Sequence, residues 1–222
     1  MGTKLRSLCT GKACVLLAIL FLATGCITIE EHYKFHEDGS GSMEYVLDMT
    51  AMRELVRSMD LEGKNKHEDQ GELDLEAQAQ QLNGVEGLEH VRFKARKDGY
   101  LQRIFFDFKD LAALNRALNV LMPDSSGTQT EFFQWEGNTL VRRNNRHADE
   151  LGGDPDSLET EEVLRSMKYK YSFKFARGVE EARVAEGMSK ESPSARRLEL
   201  ATDWFAIAKE PTALDLRITL GK

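Results

Sequence analysis

The sequence predicts an α+β protein in which successive hairpins build a mostly antiparallel sheet and a few short helices pack on one face of it. Several segments alternate apolar and polar residues with the period of two that is typical of a half-buried strand. Turn residues separate these segments at hairpin spacing. Helical segments rarely stand between consecutive strands, so we expect few of the crossovers that a parallel sheet requires.

The clearest hairpin is predicted at residues 27–49. Apolar side chains alternate with polar ones on both sides of the segment 37–42, whose sequence Glu-Asp-Gly-Ser-Gly-Ser suits a tight reversal. Further elements come in chain order: a short helix over 51–59, a loop over 62–72, a helix over 73–82, strands near 91–95 and 102–108, an amphipathic helix capped by Asp110 and ended by Pro123, and a hairpin over 132–142.

The second half of the chain is predicted to return to the same sheet. Polar and acidic residues dominate 144–162, so we interpret 144–166 as an acidic insert or linker, with a helix over 157–166 as one option. Strands are expected at 169–175, 179–185, from 198 onward, and at 214–220. Residues 26–143 and 167–222 are therefore assigned to two parts of one α+β domain.

Residues 1–25 have the features of a secretory signal peptide. Lys4, Arg6 and Lys12 make a basic start, an apolar block covers 13–23, and small residues precede Cys26. The apolar block has eleven residues, whereas a membrane-spanning helix needs about 20. The segment is therefore expected to direct export without remaining in the membrane as a helix.

The end of this segment, Thr24-Gly25-Cys26, resembles the bacterial lipoprotein signal. The resemblance implies that signal peptidase II cleaves between Gly25 and Cys26, that Cys26 is thioether-linked to a diacylglycerol, and that a fatty acid such as palmitate acylates the new amine. The membrane would then be a partner through the lipid anchor on Cys26. The alternative is an ordinary signal peptide with an incidental cysteine.

Two further segments are similar to the uncharacterised lipoproteins of the LppM type. One is the strand-turn-strand after Cys26, with Asp38-Gly39 in its turn, and the other is the run Asp203-Trp204-Phe205 leading into a terminal strand. Ile27 comes after the cysteine, where enteric-type sorting uses Asp to retain lipoproteins at the inner membrane. The resemblance therefore implies that the protein is located at the outer membrane of the cell envelope and faces the periplasm.

Charge and cysteine content exclude several classes of function. The first 25 residues contain three of the 30 basic residues and none of the 37 acidic ones, which leaves 27 against 37 and a net charge of −10. Such a chain repels phosphate backbones, so nucleic-acid binding is not expected. Cys9 and Cys14 leave with the signal, which excludes disulfides, thiolate metal sites and a cysteine nucleophile from the mature chain.

Catalytic and metal-binding patterns are not evident in the sequence. His32 and His36 would lie about 13 Å apart along a strand, too far to share one metal ion. The glycines around Ser40 suit a turn and do not form a nucleophile elbow. Adjacent acids such as Glu30 and Glu31 point to opposite faces of a strand. We therefore expect no enzyme activity, no metal and no cofactor.

An aromatic stripe allows two interpretations. Aromatic side chains alternate with Lys168, Lys170 and Lys174, and the pattern is that of one sheet face. The face could be the core of the sheet, or it could line a cup for an acyl chain or a sugar. The residues of this possible apolar ligand face are Tyr169, Tyr171, Phe173, Phe175 and Trp204.

These observations leave three functional hypotheses. The first is a non-enzymatic, lipid-anchored envelope protein that binds or assembles at the membrane surface, with an unknown protein or envelope partner. The second is a carrier of lipid or glycolipid with a hydrophobic cup. The third is an envelope hydrolase, which would need polar residues converging in a cleft.

Overall fold

Eleven strands and five short helices make up residues 27–58, 75–123, 126–143 and 158–221, the parts of the chain that the computed structural model describes. The strands are β1 (Thr28–Phe35), β2 (Gly41–Asp48), β3 (Leu88–Arg96), β4 (Leu101–Phe108), β5 (Phe133–Glu136), β6 (Thr139–Arg142), β7 (Lys168–Phe175), β8 (Val179–Val184), β9 (Ser189–Ser194), β10 (Arg197–Asp203) and β11 (Leu216–Leu220). The helices are α1 (Thr50–Ser58), α2 (Leu75–Leu82), α3 (Leu111–Leu121), α4 (Leu158–Ser166) and α5 (Trp204–Lys209).

The strands form two sheets. The large sheet has seven strands in the order β3-β4-β2-β1-β7-β10-β9, and the small sheet has four in the order β5-β6-β11-β8. Neighbouring strands pair antiparallel throughout, with the exception of β1 and β7. The predicted class, α+β with a mostly antiparallel sheet built from hairpins, is confirmed.

The parallel pair β1–β7 joins the two halves of the chain at the middle of the large sheet. Its register runs from Thr28 opposite Lys168 to Phe35 opposite Phe175. Both halves also contribute to the small sheet, because β11 of the second half lies between β6 and β8. Alternation along the chain indicates each of these strands separately, but it contains no information about which distant strands pair.

One face of the large sheet carries the core. A single row across five strands shows this: Phe106, Met43, Tyr33, Phe173 and Leu198 pair in sequence, and none is more than 2% exposed. Helices α2, α3, α4 and α5 each add buried side chains to the same core cluster. A side chain that alternates inward along any of these strands is therefore removed from water, which is the main favourable term in folding.

The small sheet packs against this core through its aromatic side chains. The Phe133 ring lies 5.1 Å from the Tyr33 ring in an edge-to-face arrangement and 6.5 Å from the Phe173 ring. Helix α3 fixes the position of β5, because the Asn115 side chain bonds both the amide and the carbonyl of Phe133 at 2.8 Å. Asp110 caps α3 as predicted, accepting a 2.8 Å bond from the Ala113 amide.

Two elements differ from the sequence prediction. The sequence does not predict strand β9, because all six of its residues are exposed and lack alternation; it also contains Pro193, which an edge strand tolerates. Asp203-Trp204-Phe205 does not lead directly into the terminal strand. Asp203 instead caps α5, accepting a 3.0 Å bond from the Ala206 amide.

Several predicted segments lie outside the described residues. These are the signal 1–25 with Cys26, the loop 62–72 and the part of the acidic insert at 144–157. The predicted helix at the end of that insert is formed as α4. Among the described helices, none is both long and apolar enough to cross a bilayer.

The strands of the large sheet have their termini at two opposite ends of the sheet. We call the end where the chain enters β1 the near end, and the end with the β1–β2 turn, residues 36–40, the far end. The residues that pair in one row at the near end are Arg96, Leu101, Asp48, Thr28, Lys168 and Asp203.

Candidate functional site

A buried ion pair between the two sheets is the main concentration of polar chemistry in the described core. Glu31 lies on the inward face of β1, and Arg142 is the last residue of β6 in the small sheet. The Arg142 Nη2 atom donates to both carboxylate oxygens of Glu31, at 3.0 and 2.9 Å. Both side chains are 0% exposed.

Two tyrosine hydroxyls complete the hydrogen bonding of the carboxylate. Tyr33 donates to Glu31 Oε2 at 2.5 Å, and Tyr169 donates to Oε1. Each carboxylate oxygen thus accepts one guanidinium and one phenol hydrogen bond. We call Glu31, Arg142, Tyr33 and Tyr169 the buried polar cluster. A buried charge is tolerated when it is both paired and hydrogen-bonded, and this cluster meets both conditions.

The electrostatics of the cluster favour a neutral phenol and a charged guanidinium. Burial raises the pKa of Tyr33 and Tyr169 well above the ordinary value of 10, and the Glu31 charge raises both further. Burial is the largest single effect and would lower the pKa of Arg142, but Glu31 and the neighbouring tyrosines together outweigh it, so the pKa of Arg142 rises. Arg142 therefore stays protonated, and the tyrosines keep the protons they donate.

The rest of the Arg142 guanidinium faces aromatic rings. Its central carbon lies 4.6 Å from the Tyr171 ring centre and 5.4 Å from that of Phe133. Nε and Nη1 have no hydrogen-bond acceptor among the residues that the structure describes. Contact with ring faces stabilises a cation, so the aromatic rings take part of the role that acceptors would have.

The arrangement of the buried polar cluster indicates a structural role. An acid, a cation and two phenols could transfer protons, but a substrate must reach such groups, and both members of the ion pair are closed to solvent. The cluster instead connects strand β1 of the large sheet to strand β6 of the small one. It fixes how the two sheets are positioned.

Sequence reasoning missed this cluster, although a signal for it was present. Residues 29, 31, 33 and 35 occupy alternate positions along β1, and Glu31 is the charged member of that inward series. Leu140 and Arg142 likewise alternate inward on β6. A charged residue within an otherwise apolar inward series predicts that it has a buried partner of opposite charge. The pattern does not identify which residue that partner is.

The proposed apolar ligand face lies in the core. Tyr169, Tyr171, Phe173 and Phe175 are at most 3% exposed, and Trp204 is 8% exposed. The Tyr33 ring of the neighbouring strand stacks with that of Phe173 at 5.2 Å, and the Phe133 ring of the small sheet packs edge-on against Phe173 at 6.5 Å. In this arrangement the five side chains are buried in the core.

The lipidation residues are outside the described structure. Gly25 and Cys26 precede Ile27, which is the first described residue. Strand β1, which lies between β2 and β7 in the large sheet, begins at Thr28. A single residue therefore separates the predicted anchor from this strand.

The described histidines lie at separate places, with His32 half-buried and His36 and His90 exposed. His32 Nε2 lies 3.0 Å from Glu30, His36 bonds the Ser40 hydroxyl at 3.0 Å, and His90 lies 2.8 Å from Asp107. No group of three or more potential metal ligands occurs among the described residues, and His67 and His147 are outside them.

Glu30 and Glu31 point to opposite faces of β1, as predicted. Glu30 lies on the outer face, where Lys170 contacts it at 3.2 Å and His32 contacts it at 3.0 Å. The hydrogen bond from His32 is the main reason that the pKa of Glu30 falls to about 2, against the opposing effect of partial burial; Lys170 lowers it further. The two adjacent acids therefore do not form a paired catalytic site.

The described surface has shallow grooves. One of about 270 Å³ lies at the far end and is lined by Trp135, Arg177 and the 36–39 segment, among others. Another, of about 300 Å³, lies on the outer face of the large sheet beside Glu30 and Lys170. The lining of this second groove includes His32, Ser172 and Ser189, but His32 bonds Glu30 at 3.0 Å and does not bond either serine in the described structure.

Comparison with known proteins shows a likeness of structure. No protein-family model matches the chain, and no curated protein matches it. Among solved structures, the chain is similar to the folded domain of the LppM protein of Mycobacterium tuberculosis, determined by NMR. The TM-score is 0.45 and the sequence identity 10%, with 89% of this chain and 90% of that chain covered.

Proposed function

We propose that this protein is a lipid-anchored component of the bacterial cell envelope that acts by binding or assembly and not by catalysis. The supporting observation is the position of Cys26: it ends a signal-like segment, and one residue later the chain enters the large sheet as β1. An acylated cysteine here would hold the folded domain directly at the membrane surface.

The acyl chains would provide the membrane affinity. Each buried methylene contributes about 0.8 kcal/mol, and two or more chains anchor a protein stably. The mature chain has a net charge of −10 by sequence, so attraction to anionic lipids cannot replace the chains. Ile27 after the cysteine supports sorting to the outer membrane, with the domain in the periplasm.

The arrangement of the polar groups supports a non-enzymatic role. The buried acid and cation, Glu31 and Arg142, are closed to solvent and bond each other across the two sheets. The carrier hypothesis gains no support from the described residues, because the side chains of the aromatic stripe are buried in the core and the Phe133 ring of the small sheet packs against Phe173. Binding would then involve the outside of the domain.

Metabolic labelling with a fatty-acid probe tests the proposal. Cys26→Ser should leave an unlabelled precursor that still carries its signal segment. The matched control is Cys14→Ser, which removes a cysteine of the signal segment and should leave labelling intact. Equal labelling of the wild type and Cys26→Ser would contradict the anchor.

A further inference from the structure

The near end of the large sheet carries an unusual set of exposed side chains. Met52 is 37% exposed and Val163 is 59% exposed, and these two are the exposed large apolar residues among those that the structure describes. Single exposed apolar residues are ordinary on a protein surface. Met52 and Val163 are unusual because both lie at the near end of the large sheet.

Both residues lie on helices that join the sheet at its near end. Helix α1, with Met52, begins two residues after Asp48, which pairs with Thr28. Helix α4, with Val163, ends two residues before Lys168, which also pairs with Thr28. The chain itself enters β1 at this end.

Helix α5 adds a partly exposed aromatic ring to the same end. Phe205 comes two residues after Asp203, the last residue of β10, which pairs with Lys168. The Arg165 guanidinium lies 4.0 Å from the centre of the Phe205 ring, and Lys209 Nζ lies 5.6 Å from it. An apolar ring beside long cationic side chains suits the boundary between lipid headgroups and hydrocarbon.

Charges of both signs surround these residues. Arg53 pairs with Asp98 at 2.5 Å, and Arg165 pairs with Glu161 at 2.8 Å. The near end is therefore not a cationic patch, and its attraction to a bilayer would not depend on anionic lipid. At the far end, by contrast, the exposed residues of the turn are His36, Glu37 and Asp38.

We propose that the near end is a docking face for the bilayer, in which Met52 and Val163 enter the headgroup region. The proposal rests on the proposed acylation of Cys26. Ile27 is the residue between Cys26 and β1, and one residue spans at most about 3.6 Å, so the anchor would hold this end against the lipid. Two side chains bury too little area to hold an untethered domain at the membrane. A tether this short, however, keeps them at a high effective concentration of lipid.

Single-cysteine labelling of the full, acylated chain tests this docking. In the mature chain Cys26 would carry the lipid and the other native cysteines would be gone, so an introduced cysteine is the one free thiol. Met52→Cys and Val163→Cys are labelled with bimane, and Glu37→Cys at the far end is the matched control. Each is reconstituted into phosphatidylcholine vesicles with and without brominated phosphatidylcholine, which quenches only fluorophores that contact lipid.

The expected result is loss of fluorescence at positions 52 and 163 and none at position 37, with the same loss when phosphatidylglycerol is added. Vesicle flotation is measured on the same samples and separates the two proposals. A chain that floats while position 52 or 163 stays unquenched overturns the docking face alone. A chain that does not float overturns the anchor and the docking with it. If Val163→Cys chains crosslink through a disulfide and position 163 is not quenched, a second copy of the chain occupies this face. That result would overturn the proposal.

Discussion

Glu31 and Arg142 belong to strands in different sheets, and their charges are neutralised only when the sheets are packed together. Removing one member leaves the other charged, buried and unpaired. Exposed pairs on the same protein provide a reference, because water solvates whichever charge remains. The pair between Arg217 and Glu136 is such a case, with side chains 44% and 41% exposed.

We expect Arg142→Met to lower the free energy of unfolding by about 3–5 kcal/mol, since Glu31 would lose its cation in the interior. Arg217→Met, at the exposed pair, should change it by at most about 1 kcal/mol. Urea unfolding followed by circular dichroism measures both. The double variant Glu31→Gln, Arg142→Met removes both charges and should be more stable than Arg142→Met alone. A double variant that is less stable than the single one would contradict the role assigned to the buried charge.

The two tyrosines of the cluster predict a loss of stability at alkaline pH. Their pKa is raised in the folded state, whereas in the unfolded chain it is close to 10. Below pH 10 the phenol protons are bound in both the folded and the unfolded state. Above pH 10 the unfolded chain releases them first, so the free energy of unfolding decreases as pH rises.

The stability of the wild type should therefore be constant near neutral pH and fall above pH 10. Tyr169→Phe removes one titrating phenol and should reduce the slope of that fall, while lowering stability at neutral pH through the lost bond to Glu31. Urea midpoints across the alkaline range measure the slope. Equal slopes for the wild type and the variant would show that Tyr169 does not titrate as its burial implies.

At the scale of an element, strand β7 shows how completely the two faces of the sheet differ. Phe173 is 0% exposed and contacts the rings of Tyr33 and Phe133, whereas its neighbour Lys174 is exposed on the opposite face. The alternation of the sequence predicts this difference, and the structure identifies the rings that cover Phe173.

Phe173→Ala is expected to cost about 3–5 kcal/mol, because a buried aromatic ring is lost and a cavity remains. Lys174→Ala should stay within about 0.5 kcal/mol. Thermal melts of the two variants provide the measurement. A Phe173→Ala protein as stable as the wild type would restore the ligand-face interpretation, in which the ring is not part of the packed core.

At the scale of the whole molecule, the two halves of the chain depend on each other. Strand β1 lies between β2 and β7, and β11 lies between β6 and β8. The second half alone would present β7 with an unpaired edge and an uncovered aromatic face. The first half alone would leave Glu31 facing Arg142 without the Tyr169 hydroxyl and without the strand beside β1.

Residues 158–221 produced alone are therefore expected not to fold, because their core face would stay exposed to water. Co-expression with residues 27–143 should restore a folded complex that co-purifies. The amide spectrum in NMR distinguishes the two outcomes by its dispersion. A well-dispersed spectrum for 158–221 alone would mean that the halves are independent domains.

By itself, the sequence determined the elements whose signal is local. Alternation indicates strands such as β1, β2, β4 and β7, and the Asp110 cap and apolar spacing indicate α3, because each of these patterns is a property of neighbouring residues. No such pattern marks β9, whose residues are all exposed, or α5, whose six residues are too few for a periodic signal.

Only the tertiary structure decided the pairing of β1 with β7, the partner of Glu31 and the covering of the aromatic stripe. The first two depend on residues more than 100 positions apart, as Glu31 and Arg142 are. Alternation along a strand assigns a side chain to a face, but the same face can be covered by any apolar surface. Which surface covers it is settled when all the strands pack together, and that is why the stripe is identified as core, and Arg142 as the partner of Glu31, only in the folded protein.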